Sequence, residues 1–503
     1  MKRALGLAAA LVAAGSALAG HASAPGPDPV AGPIRDGCRN DPAAFFTQAA
    51  PTWVYVNDAS APAGGPPPPP QWASGTVSGG GNAPYLGAHP TGVDDPATHL
   101  SYDFLINIRP DPDSVRLLGG DPAARTGNYS GGEEETGRLH TERESAVLPP
   151  FVWPENGDRV TELGSWVWDC GHFDSSRGVR TELHPFRALW VLRAPSPRSS
   201  TGENEADLFI STDATPAGVQ ADCAHRTRAG EDFKVCVHST PLWQSVNGIY
   251  AFKIPAPPRP APQARLRVRF VEAGSTAGAP PLQLFSASPL GVDIRVKVNQ
   301  PTGKRMVVAR QVFVGWTSVP ANARPQHLRL TFDSLLVRRA MDPSCPATTP
   351  ACPAKDETTR LGQISAAPGE WVLYWDVAGI WSRWRPGLLL ARDGQVFRGT
   401  QSVDFYVPKG RPWRLFMYGR ECDFGVLGSF AGQGTPVFPC PHTGELGNVV
   451  GDDVPGALVA QFPSPAASVG THRTNAMLDG STCPPSNRHG CYQLTYTVTL
   501  ERR

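Results

Sequence analysis

The stretch "WDCGHFDSSRGVRTELHPF" (residues 168–186) sets an aromatic, acidic and histidine-bearing run on either side of a serine-glycine turn. Gly178 can take the positive φ that closes a three-residue loop of Ser176, Arg177 and Gly178, so the stretch reads as a β-hairpin. That register sets Asp174 opposite Arg180, His172 opposite Glu182, Cys170 opposite His184 and Trp168 opposite Phe186. The charge pair by the turn and the aromatic pair at the far end both stabilise a sheet, and a one-residue slip separates them. The flanks extend the pattern, because "GDRVTELGSWVWDCGHF" (157–173) and "VRTELHPFRALWVLR" (179–193) alternate apolar and polar residues over strand lengths.

The rest of the chain repeats this grammar, which predicts an all-β, multidomain protein. Gly 52 and Pro 53 in 503 residues fit many short strands joined by turns, and helical periodicity is scarce. Residues 25–198 form the first expected unit, a small β-barrel or sandwich. Its segment Pro62–Gly81, with prolines at 66–70 and glycines at 79–81, reads as a surface loop. "ADLFISTDATPAG", "DFKVCVHS", "GIYAFKIP", "LRVRFVEAG", "DIRVKVN" and "RMVVARQVFVGW" predict an immunoglobulin-like β-sandwich over 199–319. Runs from "HLRLTFDSLLVRRA" to "CYQLTYTVTL" predict a C-terminal sandwich over 320–503 whose strand pattern resembles that of C2 domains.

Residues 1–19 carry Lys2 and Arg3, a short Ala/Leu core and small residues at Ala17 and Ala19, the marks of a signal peptide cut after Ala19. The chain is therefore expected to be secreted, extracellular or periplasmic, from a bacterial cell. No later stretch is apolar for the roughly 18 residues that a membrane span needs. Lys and Arg total 46 against 45 Asp and Glu, so no charge excess argues for nucleic acid or an anionic membrane. Ten cysteines suit an oxidising compartment. Local pairing would join Cys223 with Cys236, Cys345 with Cys352, Cys422 with Cys440 and Cys483 with Cys491, and leave Cys38 for Cys170.

In the expected hairpin His172, Glu182 and His184 share a face. Two imidazoles and a carboxylate can hold a divalent metal such as zinc and leave a position for water, whose pKa then falls towards neutrality. Glu182 and His172 are the candidate catalytic residues, and without metal the same three groups could serve as an acid–base set in which Glu182 orients one imidazole. Asp169 falls on the other face unless Gly171 makes a bulge. His140, Glu142 and Glu144 in "RLHTERES" share parity and can add ligands to the hairpin, or form a solvated face. Asp376, Asp404, Asp452 and Asp453 are candidate calcium ligands of the C-terminal unit. No P-loop, dinucleotide fingerprint or G-x-S-x-G elbow is present. The expected function is a metal-assisted hydrolase acting on an extracellular ester or phosphoester. The alternative is a non-catalytic secreted binding or surface protein in which the cluster ties the hairpin together.

Overall fold

The computed structural model describes residues 50–78, 88–90, 103–130, 136–144, 149–170, 177–212, 215–241, 245–299, 306–340, 369–421, 457–476 and 491–501. Its first strands are β1 (Trp53–Tyr55), β2 (Gln71–Val77), β3 (Ala88–Pro90), β4 (Asp103–Pro110), β5 (Leu139–Glu144), β6 (Arg159–Asp169) and β7 (Thr181–Arg193). They pair in the order β6-β2-β4-β5-β7, and a further β6–β7 ladder closes the circle into a five-stranded barrel. Every ladder of the barrel is antiparallel except β5–β7. This Greek-key connectivity is that of an OB-type barrel. Alternation points Ala73, Ile106, Ile108, Leu139, Val160 and Leu183 inward to one buried core.

The segment expected as a surface loop contains β2, a wall of the barrel. Its small residues are the reason it fits: a Cβ at Gly75 would lie 2.4 Å from the Arg109 carbonyl oxygen. Long β7 serves two neighbours in turn. Glu182 and Leu183 pair with β5, and beyond Pro185 the run Ala188–Arg193 pairs with β8 (Asn204–Ser211). Proline, which lacks an amide donor, sits where the strand changes partners.

The sheet continues through β8 into the strands Val307–Trp316 and Leu266–Glu272. The elements here are helices α1 (Thr215–Thr227) and α2 (Phe233–Ser239), then β9 (Gly248–Pro255), β10 (Leu266–Glu272), β11 (Gln283–Ser288), β12 (Gly291–Val298) and β13 (Val307–Trp316). The sheet β11-β12-β9 packs on the extension through Trp190, Leu208, Phe252 and Ile294. Thus the expected boundary near residue 198 lies between two strands hydrogen-bonded in one sheet. "DFKVCVHS", expected as a strand, is mostly helix α2. Asp232 caps it by accepting from the Val235 amide at 2.9 Å, and a disulfide joins Cys236 to Cys223 of α1.

The last unit is a two-sheet sandwich of β14 (Gln326–Arg339), β15 (Gly369–Val377), β16 (Ile380–Ala391), β17 (Val396–Arg398), β18 (Ser402–Val407), β19 (Trp413–Glu421), β20 (Ala457–Phe462), β21 (Gly470–Ala476) and β22 (Cys491–Leu500). One sheet runs β17-β14-β22-β21 with β18 beside β14, and the other runs β16-β15-β19-β20. The described residues bear out the all-β, multidomain architecture. No helix among them is long and apolar enough to cross a membrane. The expected signal peptide lies outside the described residues.

Candidate metal centre

On the outer face of the parallel β5–β7 pair, His140 lies beside Glu182 and Thr141 beside Leu183. Residues of one parity on these strands point out of the barrel, so His140, Glu142, Glu182 and His184 meet there. His140 Nε2 is 2.5 Å from Glu142 Oε1, and His184 Nδ1 is 3.0 Å from Glu142 Oε2 and 3.2 Å from Glu182 Oε1. One donor atom each from His140, Glu142 and Glu182 falls within 4.8 Å of the others, so this His/Glu/Glu group can hold a metal ion.

Neighbouring strands orient the donors. Asn107 of β4 pairs with His140, and its Oδ1 is 2.7 Å from Nδ1. An Nδ1–H donated to that oxygen turns Nε2 towards the carboxylates, where it hydrogen-bonds Glu142 and could take a metal in place of that proton. Trp53 of β1 donates its indole N–H to Glu182 Oε1 at 2.9 Å and stands edge-on to the His184 ring at 4.9 Å. Helix α1 covers this corner, with Ala217 and Ala221 packed on Trp53, Tyr55 and Val167. Exposure falls from 9% at His140 to 3% at Glu142, 1% at Glu182 and 0% at His184, so approach is from the His140 side. There a cavity of about 10 Å³, room for about one water, is lined by Asn107, Asn128, Arg138, His140 and Arg180.

Burial opposes charge on every member, and their mutual fields decide the outcome. For Glu142 the imidazoles of His140 and His184 outweigh burial and hold its carboxyl well below the usual range. For His140 burial is likewise outweighed, by Glu142, and its pKa is raised. Glu182 is pushed up to about 7 by burial and by repulsion from Glu142 and Asp169. Glu142 is thus the ionised carboxylate of the cluster, while Glu182 and His140 hold their protons more tightly than usual, and a divalent cation bound there would displace those protons.

The hairpin register expected from the tight turn is not the one formed. Val167 faces Glu182, Trp168 faces Thr181 and Trp166 faces Leu183. Among the described residues the last contact of this ladder is at Asp169, whose amide bonds the Arg180 carbonyl, and the Cys170 amide turns instead to Thr52. Pairing of β6 with β1 and burial of Trp168 thus fix the register, and Gly178 does have φ +73°. His172 lies outside the described residues. Cys170 does not face His184 and is itself disulfide-bonded. A bulge falls at Gly164, where a Cβ would lie 3.0 Å from Leu183 Cβ and 3.1 Å from the Pro185 carbonyl oxygen; Gly171 lies outside the described residues. His140 and Glu142, foreseen only as additions, supply half the cluster. Of the calcium candidates, Asp376 caps the Gly379 amide at 2.6 Å and Asp404 is paired with Arg329 and His327, while Asp452 and Asp453 lie outside the described residues.

No protein-family model and no curated protein matches the chain. Among solved structures, the paired C2 domains of extended-synaptotagmin 2, calcium bound, align at 8% identity over 87% of this chain and 100% of that one, with a TM-score of 0.17. Human GIVD cytosolic phospholipase A2 aligns at 8% identity over 86% of this chain and 33% of that one, with a TM-score of 0.16. At such scores neither likeness bears on the fold or the site.

Proposed function

We propose that the β5–β7 cluster binds a divalent transition metal such as zinc, and that the protein is an exported metal-assisted hydrolase of an anionic ester, a phosphoester in particular. The observation that carries this reading is the convergence of His140, Glu142 and Glu182, with His140 held by Asn107 so that Nε2 faces the two carboxylates. A mixed nitrogen–oxygen set suits zinc or a similar ion better than calcium, which takes oxygen ligands. His140, Glu142 and Glu182 would hold the ion, and His184 would complete the set or fix both carboxylates. An ion there supplies a water with a near-neutral pKa. Arg138 and Arg180, beside His140 at the cavity, would attract the anionic oxygens of a substrate. The outer face of β4 and β5 is also where OB-type barrels bind ligands, a fold-level analogy.

The test is elemental analysis of the full chain purified without chelator, with phosphoesters and carboxyl esters assayed before and after chelation. One metal per chain is expected, together with an activity lost on chelation and a His140→Ala variant that binds no metal. A second reading, a non-catalytic secreted protein with a metal-free rivet between β5 and β7, is favoured by the near-complete burial of Glu182 and His184. A folded protein devoid of metal, with a melting temperature indifferent to added zinc, would decide for the rivet.

A further inference from the structure

A cavity of about 1250 Å³ contains none of the cluster residues. It lies where the segment after β7, the 256–260 linker, the β13–β14 connection and the β18–β19 turn meet. Its volume exceeds the roughly 300–1,000 Å³ of ordinary small-molecule pockets. Prolines 195, 197, 257, 258, 260, 325, 408 and 412 line it, so the walls are stiff and binding would order little backbone.

The lining charge is one-sided. Arg259, Arg324, Lys409, Arg411 and Arg414 face a single carboxylate, Glu155, which Arg414 already pairs at 2.9 Å. The whole chain is balanced at 46 basic to 45 acidic residues, so this excess is local. Lys409 and Arg411 are exposed in the β18–β19 turn and form no ion pair among the described residues. Such a recess concentrates anions. The cations come from three separate segments and therefore suit a chain of spaced charges better than one small ion. Aromatic faces are largely taken: Arg259 sits 5.4 Å over the Trp316 ring, and Tyr406 stacks on His327 at 4.8 Å. Single-stranded nucleic acid needs open aromatic faces for its bases.

We infer that this groove binds a linear acidic polysaccharide, one bearing carboxylate or sulfate groups. The site is independent of the metal cluster. Affinity of the full-length protein is measured for polygalacturonate, heparin, neutral dextran and an oligothymidylate. Both acidic saccharides, or one of them, should bind in a manner weakened by salt, and dextran should not. Lys409→Glu with Arg411→Glu should weaken binding about tenfold or more, whereas the charge-matched control Lys297→Glu with Arg473→Glu should not. Arg259→Gln, on another wall, should weaken it in the same direction with the circular dichroism unchanged. No saccharide binding, equal losses in both charge-reversed pairs, or tighter binding of the oligothymidylate would overturn the inference.

Discussion

Inside the barrel, behind the cluster, Glu162 is fully buried, and the neighbouring hydroxyl of Thr141 donates to the Ile106 carbonyl. Burial pushes its carboxyl up to about 8, with Thr141 offsetting a little. Because the folded state holds this proton more tightly than the unfolded chain, the associated stability is complete below the ordinary 4.5 and is lost as pH rises through about 8. Glu162→Gln keeps the neutral shape. Its melting temperature should decline less across that window than the parent's, whose slope carries at most about 1.4 kcal/mol per pH unit from this group. Parallel slopes would show that Glu162 ionises freely. On the outer face the balance is opposite, since Glu142 is ionised between two imidazoles. Glu142→Ala leaves those histidines without their carboxylate and should cost about 3–5 kcal/mol in denaturant unfolding. An unchanged midpoint would mean that the cluster adds nothing to the fold.

The elements around the cluster depend on one another more than on their own propensities. Helix α1 shields Trp53, and the Cys223–Cys236 bridge, with a sequence separation of 13, ties α1 to α2. Replacing both cysteines by serine should cost about 3 kcal/mol if loop entropy dominates. Amide exchange should then quicken in α2 while β6 and β7 keep their protection; equal quickening throughout would make the bridge a global clamp. The strands themselves were legible, because alternation at 159–169 and 181–193 corresponds to β6 and β7. So was the E-x-H of Glu182 and His184. Its partner was not, since His140 reaches Glu182 only across a parallel ladder that exists once the barrel closes. A matching H-x-E at 140–142 was the available signal, and the short-turn rule masked it by supplying His172 instead. In "DFKVCVHS" alternating Val and Cys imitated a strand, and the cap at Asp232 carried the opposite message.

At the scale of the molecule, the barrel and the C-terminal sandwich share one core. Trp153, on the segment between β5 and β6, is fully buried, with its ring 5.3 Å from Trp381 and 6.2 Å from Tyr374. Val372, Tyr374, Trp381 and Phe416 of the sandwich belong to the same buried cluster as Leu183 and Val191 of the barrel. The seam also buries Arg193 against Asp207 at 2.7 Å and Asp158 at 3.1 Å, and Glu155 pairs with Arg414 across it. Glu155 and Arg414 keep 17% and 21% of their side chains exposed, so solvent screens their pair in part, and the apolar contact is the larger contribution expected at the seam. Trp153→Ala should then cost about 3–5 kcal/mol. The loss falls on the contact that couples the two units, so calorimetry should resolve two transitions in the variant where the parent shows one. Arg414→Ala should lower the melting temperature slightly and leave a single transition. If Trp153→Ala melted in one step at the parent's temperature, or Arg414→Ala alone separated the units, the seam would be held by charge and not by the tryptophan.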